Sequence, residues 1–117
     1  MRRILIVDDE SSMRFLLRMI LENAGYEILE AQHGAAALER INEWRPDLVV
    51  TDLMMPVMNG RDLVGRLRAD PETASIPILL ISANPDAKVA TVDAVMGKPF
   101  DLKAVVEVAR SLAGSRG

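Results

Sequence analysis

Five residues of this chain have side chains suited to joint chemistry: Asp8, Asp9, Asp52, Ser82 and Lys98. Each stands where a short apolar run stops. Asp8-Asp9 follow Ile4-Leu5-Ile6-Val7. Asp52 ends the run that starts at Leu48-Val49-Val50, ahead of a loop forced by Pro56 and the Asn59-Gly60 pair. Ser82 follows Ile78-Leu79-Leu80-Ile81, and Lys98 follows Val92 to Met96 and Gly97. Three carboxylates brought close repel one another, and become tolerable when one is protonated or a cation binds. With only oxygen ligands in prospect a hard ion is favoured, and Mg²⁺ takes one or two carboxylates together with waters and phosphate oxygens. A metal with open positions beside a carboxylate points to phosphoryl chemistry, with an Asp nucleophile forming an aspartyl phosphate. Mg²⁺ and Lys98 then supply positive charge and Ser82 a hydrogen-bond donor to the phosphoryl oxygens. Taken singly, each residue also has a plain structural reading: a solvated Asp-Asp turn, a loop cap at Asp52, a strand-end hydroxyl, a surface lysine before a proline turn.

Composition bounds the alternatives. At 117 residues the chain is expected to form one domain, 1–117, with 113–117 as a frayed tail. A net charge of −3 offers no basic field for direct nucleic-acid binding. The chain has no cysteine, which excludes disulfides and thiolate metal sites. His33 is the only histidine, so no multi-His metal site can form; it is read as a surface turn residue. Arg2-Arg3 precede an apolar run that ends at Asp8, too short for a signal peptide. No window approaches the ~18 apolar residues of a membrane span. A cytoplasmic protein is expected.

The elements that must position the five residues follow from periodicity. Strands are expected at Ile4–Val7, Glu27–Ala31, Leu48–Val50, Ile76–Ile81 and Val92–Met96, the second alternating as a sheet edge does. From Met13 to Ala24, Met13, Leu17, Ile20, Leu21 and Ala24 form an apolar stripe, with Ser11 and Ser12 as cap types, and Arg14, Arg18 and Glu22 opposite. Further helices are expected at Ala35–Trp44, Arg61–Ala69 and from the Asp101 cap to about Leu112. Asn84-Pro85-Asp86 reads as a cap with proline in the first turn. Only about nine residues remain there for a crossover that usually takes at least about 10–12, so the fourth helix should be shortened or missing. The alternation implies an α/β fold, a doubly wound five-stranded parallel sheet of flavodoxin-like order 2-1-3-4-5. The carboxyl ends of strands one and three then meet at the switch point.

These residues carry a resemblance. Asp8-Asp9, Asp52-x-x-Met55-Pro56 with Gly60, Ser82-Ala83 and Lys98-Pro99-Phe100 resemble the receiver domain of bacterial two-component response regulators of the chemotaxis-regulator type, from about Arg3 to Leu112. Each motif alone is weak, whereas all four in this order are specific. The resemblance implies a phosphorelay switch in which Asp52 is phosphorylated by a sensor histidine kinase or phosphotransfer protein. It implies Mg²⁺, with Mn²⁺ as the alternative, held by Asp9, Asp52 and the Met54 backbone carbonyl, with Asp8 helping through water. Lys98 would contact the phosphoryl group, Ser82 would swing toward it, and the bond before Pro99 would be cis. Met54 and Asn84 stand at the positions that tune hydrolysis, and Phe15, Leu16 and Met19 lie on the helix that such domains use to dock a kinase. The implied protein catalyses only its own phosphorylation and dephosphorylation.

Two departures bear on the switch. Val95 stands where receivers usually carry Tyr or Phe, and the Ser82–Lys98 segment is short. A non-switching interaction module is therefore an alternative reading. A third, a phosphohydrolase with an Asp nucleophile, lacks its usual second carboxylate, since Met54 occupies that position. No Gly-rich phosphate loop follows strand one, which sets a flavin aside. The seven methionines are read as core filler rather than a partner groove. No output domain is recognised. Met1 directly before the first strand fits a natural start, and the chain is expected to be either a stand-alone receiver or an excised piece.

Overall fold

Short runs rich in Ile, Leu and Val favour strands that can be covered on both faces. In the computed structural model, which describes residues 2–55, 57–84, 89 and 91–114, these runs form β1 (Arg3–Val7), β2 (Glu27–Ala31), β3 (Leu48–Asp52), β4 (Ile78–Ser82) and β5 (Ala94–Gly97). Between them lie α1 (Ser11–Asn23), α2 (Gly34–Glu43) and α3 (Gly60–Ala69), and α4 (Leu102–Ala113) follows β5. The sheet is parallel throughout, in the expected order β2-β1-β3-β4-β5.

Successive strand side chains point to opposite faces. Leu5, Val7, Val49, Ile78 and Leu80 accordingly pack under α2 and α3, against Ala37, Ile41, Leu63, Val64 and Leu67. Ile4, Ile6, Leu48, Val50, Leu79 and Ile81 pack on the other face against Leu17 and Leu21 of α1 and Val105 and Ala109 of α4. β3 and β4 are buried along their whole length. β2 and β5 are the two edges, and β5 is only partly covered.

Among the described residues no helix stands between β4 and β5, in keeping with the short segment. Pro85 and Asp86 of the expected cap lie outside the described residues. Val89 and Val92 of this link pack into the core on the α3 side.

Four local expectations are corrected. The N-cap of α1 is Glu10, with no side-chain capping bond, and Ser11 and Ser12 lie inside the helix. His33 is half-buried rather than a plain surface turn, and its Nδ1 accepts a hydrogen bond from the Ala36 N–H, capping α2. Met54 is not core filler, being 72% exposed. Ala113 is helical and buried, and Tyr26 Oη donates to the Gly114 carbonyl at 2.7 Å, so the last turn is anchored past the expected start of the tail.

Candidate functional site

The carboxyl ends of β1, β3, β4 and β5 bring the five singled-out residues to one edge of the sheet. Asp8 and Asp9 follow β1, Asp52 ends β3, Ser82 ends β4 and Lys98 follows β5. The parallel register aligns Val7 with Thr51, Asp52 with Ile81 and Ser82 with Gly97, which brings the four strand ends to within about two residues of one level. Carboxylate oxygens of Asp8, Asp9 and Asp52 lie within 4.8 Å of one another. Lys98 Nζ lies 3.3 Å from Asp52 Oδ2 and 3.8 Å from Asp8 Oδ2.

Backbone contacts fix the acidic side. The Asp8 N–H donates to the Ala31 carbonyl, and Arg14 Nη1 donates to the Asp8 carbonyl at 2.6 Å. Asp8 Oδ1 accepts from the Glu10 N–H. After Asp52, the Leu53 N–H donates to Ile81 and the Gly60 N–H to Leu53, so the loop folds back on its own strand. Gly60 is required there: a Cβ at this position would collide with the Asp52 carbonyl oxygen and the Leu53 Cα. Gly34 does the same for the loop's other side, since a Cβ would strike Met58, whose carbonyl accepts from the Gly34 N–H.

The electrostatics favour a cation. Asp8 and Asp52 are almost wholly buried while Asp9 is exposed. Burial pushes the Asp8 carboxyl up to about 6; the nearby Asp52 and Asp9 charges add to this, and the Glu10 N–H and Lys98 oppose it. A group of oxygen ligands whose buried member is costly to ionise fits a hard divalent ion, which would offset that cost. The exposed Asp9 leaves one side open to solvent or a phosphoryl group.

The remaining expected residues fall as follows. Ser82 Oγ accepts from the Asn84 N–H at 3.0 Å and also lies 3.1 Å from the Asn84 carbonyl, so its hydroxyl is engaged in a local turn. Lys98-Pro99 is cis. Met54 lies on the loop directly after Asp52. On α1, Phe15 is 66% exposed, Leu16 half-buried and Met19 half exposed, an apolar patch on the solvent side of the helix.

Sequence reasoning missed two arginines. Arg14, placed on the polar stripe, reaches both Asp8 and Glu30, and Arg18 also pairs with Glu30. Arg68, assigned no role, holds the approaches to β4 and β5. Neither has a local sequence signal, because their partners lie on other elements. Among the described residues no helix is long and apolar enough to cross a membrane.

The comparisons agree with this geometry. The model of the response regulator receiver domain matches residues 4–110. The chain is 48% identical over 86 residues to the sensor histidine kinase TmoS of Ectopseudomonas mendocina, covering 74% of this chain and 9% of that one. It is 38% identical over 120 residues to the DNA-binding response regulator MtrA of Mycobacterium tuberculosis, covering 94% and 50%. In structure it is similar to the response regulator TrrA of Thermotoga maritima in complex with Mg²⁺-BeF, with a TM-score of 0.87, 33% identity and coverage of 96% and 99%. The chain spans half or less of the length of the curated relatives it matches. From the family match and the acidic pocket, the chain belongs to the response regulator receiver domains, the signalling modules of two-component phosphorelays.

Proposed function

We propose that Asp52 is the phosphoacceptor of this receiver and that Asp9, Asp52 and the Met54 carbonyl hold Mg²⁺, with Asp8 acting through water. The observation that carries this reading is Lys98 Nζ at 3.3 Å from Asp52 Oδ2, in a carboxylate group whose Asp8, Asp9 and Asp52 oxygens lie within 4.8 Å of one another. Asp52 ends a buried strand, and the close approach of Gly60 to its backbone fixes the position from which the carboxylate projects. A bound Mg²⁺ would neutralise the phosphoryl oxygens. Lys98 supplies a second positive charge from β5, and Ser82 exchanges its Asn84 contacts for a phosphoryl oxygen.

The donor is a histidine kinase or a phosphotransfer protein, docking on Phe15, Leu16 and Met19. The exposed Phe15 and Met19, one turn apart on α1, support that docking face. Met54 at 72% exposure stands at the rim, where its apolar side chain shields the phosphoryl group from water. Met54→Asn is expected to speed decay of the phosphorylated form, and Asn84 tunes the same step from the β4 side; an unchanged decay rate would remove Met54 from that role.

Incubation with a small phosphodonor and Mg²⁺ tests the acceptor. Mass spectrometry should show one added phosphoryl group on wild type and none on Asp52→Asn. A wild type left unmodified by a donor shown to be competent sinks the proposal. Val95, 38% exposed where receivers carry an aromatic ring, favours a second reading, a module that binds partners without switching. Identical amide spectra with and without a phosphoryl mimic would select it.

A further inference from the structure

Lys98 is carried by the least supported strand of the sheet. β5 has four residues, pairs only with β4, and none of its side chains is fully buried. Among the described residues no helix stands between β4 and β5. Its far end is nevertheless held. Asp93, just before β5, donates its N–H to the Ile78 carbonyl, and its Oδ2 accepts from the Ile78 N–H at 2.7 Å. The same Oδ2 accepts from Arg68 Nη2 at 2.9 Å. Arg68, at the end of α3, also donates to the Thr91 carbonyl through Nε and to the Ala74 and Ile76 carbonyls through Nη1. One guanidinium thus gathers α3, the approach to β4 and the approach to β5. Its planar fork of donors suits this as an ammonium would not.

We infer that Arg68, through Asp93, is a positioning residue for Lys98. This rests on the reading of Asp52 as phosphoacceptor. The geometry follows the strand. Asp93 fixes β5 against Ile78 at one end, and the Lys98 N–H donates to the Ser82 carbonyl at the other. The four residues of β5 lie between these anchors, and five steps of about 3.3 Å set them roughly 16 Å apart. Register in a strand is specified where a face is buried, and β5 buries little, so an external anchor has to hold it. A slip of one residue would turn the Lys98 side chain away from Asp52.

A double-mutant cycle tests the inference. Phosphorylation by acetyl phosphate with Mg²⁺ is timed for wild type, Arg68→Ala, Lys98→Ala and the double variant. Arg68→Ala should slow the reaction about tenfold, and should add nothing once Lys98 is already alanine. An unchanged rate, or equal slowing in both backgrounds, overturns the inference. Should Arg68→Ala fail to fold by circular dichroism, Asp93→Ala takes its place, with about threefold slowing expected and the same criterion. The Lys98 Cε resonance gives a reading independent of the reaction. Asp52→Asn should move it in wild type and move it less than half as far when Arg68 is alanine; an equal movement in both overturns the inference. A wild type that takes up no phosphoryl group would defeat the phosphoacceptor reading alone, and the Lys98 resonance would still decide the role of Arg68.

Discussion

β3 and β5 carry the two members of one ion pair, Asp52 and Lys98, yet they are built in different ways. β3 lies between two neighbours, is buried along all five residues, and ends in a loop pressed against its own backbone by Gly60. β5 lies at the edge, buries little, and depends on polar anchors at both ends. The acidic half of the site is therefore fixed by core packing and close backbone contact. The cationic half is held by a handful of hydrogen bonds, which can rearrange at lower cost than a packed core. A switch drawing on both would keep its acceptor still and move its sensor.

Leu48 of β3 and Val95 of β5 put that contrast to the hardest test. Leu48 is fully buried and Leu48→Ala should cost about 3 kcal/mol. Val95→Ala should stay within about 0.5 kcal/mol. Urea denaturation measures both, and comparable costs would erase the distinction between the halves.

Divalent-ion binding separates them next. Asp9→Asn should weaken Mg²⁺ binding on the order of tenfold or more, whereas Lys98→Ala, by removing a competing cation beside Asp52, should strengthen it. Titration calorimetry would show both; weaker binding in the Lys98 variant would mean that the lysine supports the metal site rather than competing with it.

A smaller effect is expected in the acidic loop. Val57 adopts φ 69, a left-handed conformation that is unfavourable for a β-branched residue. It is 81% exposed, so a glycine there loses little packing. Val57→Gly should raise stability by about 1 kcal/mol, seen as a higher urea midpoint; a lower midpoint would show that Val57 contributes contacts outweighing its backbone.

The smallest effect concerns Glu30, which receives hydrogen bonds from Arg14 and Arg18. Burial, the largest influence, raises its carboxyl pKa, but the two arginines together bring it below the ordinary 4.5. The unfolded chain then binds the proton first as pH falls. The contribution is complete above about 4.5 and is lost as pH drops through the lowered folded value. Glu30→Gln should flatten that slope in acid denaturation and lower stability slightly near neutrality, where the contribution is complete. An unaltered acid slope would assign the effect to other carboxylates.

Much of this was legible in the residues. Runs such as Ile4–Val7 and Ile78–Ile81 can only be strands covered on both sides, and their alternation with 3.6-period stripes such as Leu17-Leu21 leaves few topologies. Because ligand sites in such sheets gather at the carboxyl ends, Asp8, Asp9, Asp52, Ser82 and Lys98 could be grouped before any coordinates. The short segment after Ser82 was likewise visible as a count of residues.

Other features had no local signature. Ser11 and Ser12 look like caps, but the chain turns at Glu10 because Asp8 accepts the Glu10 N–H. His33 resembles any turn histidine until the start of α2 is placed behind it. Met54 is apolar in sequence yet largely exposed, because the loop that carries it is tied inward at Gly60 rather than at its own side chain. Arg14 and Arg68 act on Asp8, Asp93 and carbonyls contributed by other elements, and pairing across elements follows from how helices seat on the sheet.

The sequence by itself determined the order of elements, the two-sided core and the set of groups at the strand ends, since hydrophobic periodicity and strand termini are local properties of the chain. Only the tertiary structure decided the 3.3 Å approach of Lys98 to Asp52, the burial that raises the Asp8 carboxyl, and the Arg68 anchor behind β5. Distances, desolvation and cross-element hydrogen bonds depend on segments far apart in the chain, and no spacing along it encodes them.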